Sequence, residues 1–171
     1  MALREILEFP DPRLREIGQP VRVFDADLRQ LVEDMAETMY DAPGVGLAAP
    51  QIGVTQRIFV IDIAAEDEPS DLHVFINPEI LDAEGTQVWD EGCLSFPGAT
   101  EEVKRAEFVR VRAQNEHGET FELEAEGLMA VAIQHEHDHL DGVLMIDKLN
   151  PIKKRLFSRK MNKAKHSSAR A

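Results

Sequence analysis

Cysteine is almost missing from the chain: Cys93 is the only one in 171 residues. No internal disulfide can form, so the thiol is left to act as a ligand or a nucleophile, and a reducing, cytoplasmic location fits. Long hydrophobic runs are missing as well. Nothing approaches the roughly 20 apolar residues that span a bilayer. Residues 1–5 lead into mixed sequence rather than the apolar stretch of an export signal. No membrane partner is expected. There is no repeat and no linker-like stretch, so residues 1–171 read as one domain. Acidic residues are missing from the end. From Lys148 to Ala171 there are nine basic residues and no acidic one, against a net charge of −13 for the whole chain. The first 147 residues therefore hold 10 basic and 32 acidic residues, a formal −22. Such a body repels nucleic acid in general. The tail either binds a polyanion locally or simply solvates a terminal helix, and both readings stay open on charge alone.

What is present is concentrated in Gln134-His135-Glu136-His137-Asp138-His139-Leu140-Asp141-Gly142. His135 and His139 stand at i and i+4, one turn apart on one helix face. Two imidazoles so placed can bind a single divalent metal, and Glu136 beside the first can reach a water on it. The preceding Leu128-Met129-Ala130-Val131-Ala132-Ile133 is apolar on nearly every side, as in a buried helix. Gly142 falls where that helix should end.

The rest of the chain reads as follows. Prolines punctuate an arm over residues 1–24, with a short helical turn opening at Pro12. Apolar spacing predicts an amphipathic helix over 25–40, capped by Asp25 or Asp27. Residues 42–53 hold three glycines and two prolines and predict an irregular loop that lets backbone come close to something. No Gly-Lys-Ser/Thr follows, which excludes a phosphate-binding loop. Strands are expected over 57–63, over 72–77 where Pro78 would end it, over 87–91, and over 102–114 as one long strand. Residues 115–118 turn the chain into a partner strand over 120–125. After the metal helix come an extended piece over 143–146 and a basic helix over about 151–165. The fold class is α+β: antiparallel sheets around a central metal-binding helix, with a C-terminal helix.

A hydrolytic site of this kind needs a third ligand. In the extended pattern His-Glu-x-x-His-x-x-Gly-x-x-His that position is Met145, a poor donor for a hard divalent ion. No acid exists after Asp147, His166 lies in the basic tail, and Asp141 and Asp147 are too near in sequence to fold back easily. The ligand should then come from upstream, where Cys93 is the strongest candidate.

Gly44-Val45-Gly46-Leu47-Ala48-Ala49-Pro50-Gln51, Glu91-Gly92-Cys93-Leu94-Ser95 and Gln134-His135-Glu136-His137-Asp138-His139 together resemble the three signature motifs of peptide deformylases, in the same order. The likeness runs over essentially the whole chain, and its form resembles the bacterial iron-type class. It implies hydrolysis of the formyl group from the N-terminal formyl-methionine of nascent polypeptides. Cys93, His135 and His139 would hold one divalent ion, iron(II) by resemblance, although two imidazoles and a thiolate would also take zinc, nickel or cobalt. Glu136 would shuttle the proton. The Gln51 amide and the Leu94 N–H would face the oxyanion, and Gly46 would let the peptide backbone dock. Val45, Leu128, Val131 and Ala132 are the expected walls of a methionine pocket, with Gly44 and Glu91 also expected among the substrate contacts. The basic C-terminal helix would dock on the RNA-rich ribosome surface, and the enzyme is expected to be monomeric. Two other readings are a peptidase built on the same His-Glu-x-x-His pattern and a catalytically silent relative.

Overall fold

In the computed structural model, described for residues 2–170 with the side chains of 162–170 excepted, thirteen short elements alternate along the chain. A 3-10 turn, Pro12–Arg15, precedes helix α1, Ala26–Asp41. Strand β1, Gly46–Ala48, runs into a 3-10 turn, Ala49–Ile52. Then come β2, Ile58–Ile61; β3, His73–Glu84; β4, Gln87–Cys93; β5, Phe96–Arg105; β6, Phe108–Gln114; and β7, Thr120–Glu126. Helix α2 is Gly127–Leu140. A further 3-10 turn, Met145–Lys148, leads to α3, Pro151–Arg170. The strands form an antiparallel five-stranded sheet, ordered β1-β2-β3-β6-β7, and a separate antiparallel pair, β4-β5.

The alternation in β2 shows how the layers stack. Phe59 and Ile61 point to one face, where they meet Phe75, Val109, Val111 and Ile133 of α2. Ile58 and Val60 point to the other and meet Met35 and Met39 of α1. A strand covered on both faces needs an unbroken apolar run, and Ile58-Phe59-Val60-Ile61 supplies one. Asp25 caps α1 by accepting the Leu28 N–H at 3.0 Å. A third cluster joins Leu7 and Leu14 of the arm, Phe96 and Val103 of β5, and Phe157 and Met161 of α3.

Four expectations are corrected. The glycine-rich segment is not irregular throughout, because Gly46, Leu47 and Ala48 pair with Ile61, Val60 and Phe59 of β2. Pro78 does not end β3. The register slips between Ile76 and Glu79, Asn77 takes φ 52°, and its side chain bonds both Val21 backbone groups at 2.8 and 2.9 Å. That bulge takes up the proline, which cannot donate to a ladder. The expected strand over 102–114 is two strands in two sheets. At the break, Gln134 receives the Ala106 N–H at 2.9 Å, and Gln134 and Gln87 both donate to its carbonyl. Finally, residues 145–148 coil into a 3-10 turn because the Asp147 carboxylate caps the Leu144 N–H at 2.9 Å.

Gly142 ends α2 with φ 72°, and any Cβ there would collide with the Arg15 carbonyl oxygen. Arg15, Asp147 and Lys154 close the same corner with ion pairs. Burial opposes the charge on Asp147, but the hydrogen bonds from Arg15, Leu144 and Lys154 outweigh it and hold the carboxyl at about 2, below the ordinary 3.8. The folded value lies below the unfolded one, so this stabilisation is complete above about pH 4 and disappears as the pH falls through 2. Asp147→Asn is expected to cost about 1 kcal/mol at pH 7, allowing for solvent screening, and to leave less stability to lose between pH 4 and pH 2. Urea unfolding across that range measures both effects.

Candidate metal centre

Three potential ligand groups converge where β4 ends against α2. The β4–β5 register shifts after Gly92, so that Cys93 pairs with Phe96 across a tight turn. That turn holds the thiol toward the helix. The Cys93 sulfur lies 3.4 Å from Nε2 of His139, and the rings of His135 and His139 meet edge-on at 5.1 Å. One donor atom from each of Cys93, His135 and His139 falls within 4.8 Å of the others, the one such cluster among the described residues. Nδ1 of His135 is bonded to Glu91 at 2.8 Å, which leaves Nε2 for a metal. A soft thiolate with two imidazoles is a donor set that suits a first-row transition ion.

Charge in the site is divided unevenly. Burial disfavours a charged His135, yet the Cys93 sulfur, Glu91 and Glu136 outweigh it and raise its pKa well above the ordinary value. For His139, burial and then the neighbouring His135 and Arg105 charges act together and lower it strongly. Two imidazoles this close are not both cationic; a divalent cation would take one lone pair from each neutral ring without that conflict.

Glu136 is buried, and its Oε1 has no hydrogen-bond partner. Burial first, then Glu91 and Asp138, push its pKa up to about 7 against the opposing pull of His135 and Arg105. Its other oxygen lies over Gly46, where a Cβ would stand 2.6 Å from Oε2. Gly46 therefore makes room for the glutamate itself, beyond the expected role beside a peptide backbone. Gly44 is similarly tight, since a Cβ there would lie 2.7 Å from Leu94. Gln51 is locked in place. Its Oε1 accepts the Ala48 N–H at 2.9 Å, while Nε2 donates to Ser95 Oγ at 3.1 Å and faces the Cys93 sulfur at 3.6 Å. The N-terminal arm braces both sides: Leu7 N–H donates to the Gln51 carbonyl at 2.7 Å and Phe9 N–H to that of Ser95 at 2.9 Å.

Glu91, expected among the substrate contacts, borders a cavity with Val45, Leu128 and Val131 but is held by protein partners. Its carboxylate is buried and both oxygens are taken, by Arg105 and by His135. Burial opposes its charge, but those partners hold its pKa at about 2. Arg105 and Ser95 join the site without having been expected there. Ser95 carries a signal only as the last residue of the Glu91-Gly92-Cys93-Leu94-Ser95 motif. Arg105 does carry one: it stands two residues after buried Val103 on the same face of β5, so a cation has to point inward.

A cleft of about 790 Å³ opens over the centre, lined by Gly44, Val45, Gln51, Leu94, Phe96 and Pro97 among others. A smaller cavity of about 170 Å³ adjoins it, where Val45, Leu128, Val131 and Ala132 meet Trp89, His135 and Glu136.

A thiol, two imidazoles and a buried carboxylate at the floor of a cleft define the class of mononuclear metallohydrolases. Comparison narrows this. A family model described as polypeptide deformylase matches residues 3–155. A peptide deformylase of Alkalilimnicola ehrlichii is 55% identical over 163 residues, 95% of this chain and 91% of that one. Peptide deformylase 1 of Ralstonia nicotianae is 53% identical over 171 residues, covering 99% of this chain and all of that one. A crystal structure of a peptide deformylase from Legionella pneumophila superposes with a TM-score of 0.93 at 49% identity, covering 99% of each chain. The chain belongs to the polypeptide deformylase family, metal-dependent hydrolases that release formate from the formyl-methionine at the start of newly made polypeptides.

The packing of Glu136 over Gly46 gives a sharp expectation. Gly46→Ala should displace the carboxylate and lower kcat/KM for a formyl-Met peptide by about 10²-fold. The melting temperature should change by only a few degrees. Steady-state formate release and thermal unfolding of the same preparation check both.

Proposed function

We propose that deformylation takes place at the centre formed by Cys93, His135 and His139, with residues 1–171 acting as one catalytic unit. The observation that carries this reading is Glu136, buried beside the ligand set with Oε1 unpartnered. Cys93, His135 and His139 would hold a divalent ion, which would supply Lewis acidity for the formyl carbonyl and lower the pKa of water. Glu136 accepts the water proton and later delivers it to the leaving amine, a task suited to a carboxylate whose pKa burial has raised to about 7. Gln51, its orientation set by Ala48 and Ser95, offers an N–H toward the oxyanion, and the Leu94 backbone N–H is the second donor. The methionine side chain enters the 170 Å³ cavity between Val45, Leu128, Val131 and Ala132. Gly44 and Gly46 keep the cleft wall thin where the peptide backbone passes. Glu91 serves His135 rather than the substrate.

Iron(II) is the metal favoured by the form of the motifs; zinc, nickel and cobalt fit the same donors. All ligands and the proton shuttle come from one chain, which supports a monomer. A single free cysteine and a nascent-chain substrate support a cytoplasmic location. No helix among the described residues is long and apolar enough to cross a membrane.

The basic helix is proposed to dock on ribosomal RNA. Ile152 and Leu156 are 75% and 58% exposed on α3, among exposed Lys153, Lys154, Arg155, Arg159 and Lys160, while the side chain of Lys163 lies outside the described residues. Phe157 and Met161 are buried in the core, so deleting the helix would damage the fold. Replacing Lys153, Arg155 and Arg159 with glutamine is the cleaner test. Ribosome binding should weaken and lose part of its salt dependence, while turnover of a short formyl-peptide stays at the wild-type rate. Unchanged ribosome binding would leave the helix with a packing role only.

For the reaction itself, formate release from formyl-Met-Ala is the assay. Glu136→Gln should lower it by about 10²–10⁴-fold, and metal analysis of protein prepared without air should give one equivalent of iron. Full activity in the variant, or cleavage of unformylated peptides by the wild type, would overturn the assignment; one equivalent of zinc with full activity would overturn iron alone.

A further inference from the structure

Two segments supply the three ligands, and no backbone ladder joins them. Cys93 ends β4, whose hydrogen-bonded partner is β5, while the histidines lie on α2, which packs against the other sheet. Side chains must therefore fix the distance between thiol and imidazoles. Gln87 ties β4 to the first residue of α2 through the Gly127 carbonyl, and Gln134, the residue before His135, holds both backbone groups of Ala106. At the ligand end the crossing is made by Arg105 of β5. Its Nε and Nη2 donate to the two oxygens of Glu91, two residues before Cys93, at 2.8 and 2.9 Å. Its Nη1 donates to Asp138, the residue before His139. Glu91 in turn holds Nδ1 of His135. The Arg105 side chain is only 3% exposed. A planar guanidinium presents these donors in fixed relative directions, which a lysine ammonium cannot do.

We propose that Arg105 is a positioning residue: by clamping Glu91 and Asp138 together it sets the separation of the Cys93 sulfur from the two imidazoles, and so how firmly the centre retains its metal. This rests on Cys93, His135 and His139 being the ligands. Asp138 also faces Lys148 at 3.6 Å, but no contact of Lys148 with Glu91 is seen, and it spans no gap between ligand segments.

Cobalt(II)-loaded full-length protein tests the role. The wild type, Arg105→Lys, Asp138→Asn and Lys148→Ala are compared for cobalt transfer to excess chelator, for visible absorption of the cobalt–thiolate centre, and for far-UV circular dichroism. Arg105→Lys and Asp138→Asn should lose cobalt about 10–100-fold faster, with a shifted absorption spectrum and a native far-UV signal. Lys148→Ala should match the wild type. If Arg105→Lys does not fold, Asp138→Asn decides, because it leaves the Arg105–Glu91 pair whole. Wild-type retention and spectrum in a folded Asp138→Asn protein overturn the proposal while the ligand assignment stands. A wild type that takes up no cobalt overturns the ligand assignment itself, and the clamp with it.

Discussion

Helix α2 carries His135, Glu136 and His139 into the interior, where an uncompensated charge costs several kcal/mol. Much of the surrounding architecture answers that demand. Glu91 takes one imidazole N–H, and Arg105 neutralises Glu91. Among the described residues three buried side-chain atoms lack a partner: Glu37 Oε2 on α1, and, at the centre itself, Oε1 of Glu136 and Nδ1 of His139. Polar atoms are rarely left unpaired in a core, and two of them side by side at a thiol and two imidazoles suit a centre that takes an ion or does chemistry.

Two structural layers share this work. The five-stranded sheet, with α1 on one face and α2 on the other, is a rigid platform that fixes the histidines. The smaller β4–β5 pair brings the thiol to it from outside. Separating the ligands between layers leaves a seam, and the seam is the cleft. Substrate can reach the centre because the two halves meet through side chains rather than through a continuous sheet.

Much of this is legible in the residues. The period of α1, the cap at Asp25, the apolar run of β2 and the i, i+4 histidines all depend on local spacing, and each appears where spacing puts it. The lack of any suitable downstream donor already points to Cys93, and the fold does bring Cys93 to the helix. What cannot be read is non-local. Pro78 looks like a strand end because the bulge at Asn77 that absorbs it is held by Val21, far away in the chain. The break between β5 and β6 is hidden because no Gly or Pro marks it, and the backbone there is satisfied by distant partners, Gln87, Gln134 and the Glu84 carbonyl. Glu91 is expected from the motif it belongs to, but that its carboxylate pairs with Arg105, one strand away, is a non-local fact.

The arm before α1 gains a significance its sequence does not suggest. Leu7 and Phe9 donate backbone hydrogen bonds to the carbonyls of Gln51 and Ser95, whose side chains are bonded to each other beside Cys93. Chain ends are ordinarily the first parts of a protein to open. Ile6 and Glu8 of this arm line the cleft, so opening of the arm would remove part of its wall and free the Gln51 and Ser95 carbonyls. Amide exchange at Leu7 and Phe9 therefore reports on the integrity of the cleft wall.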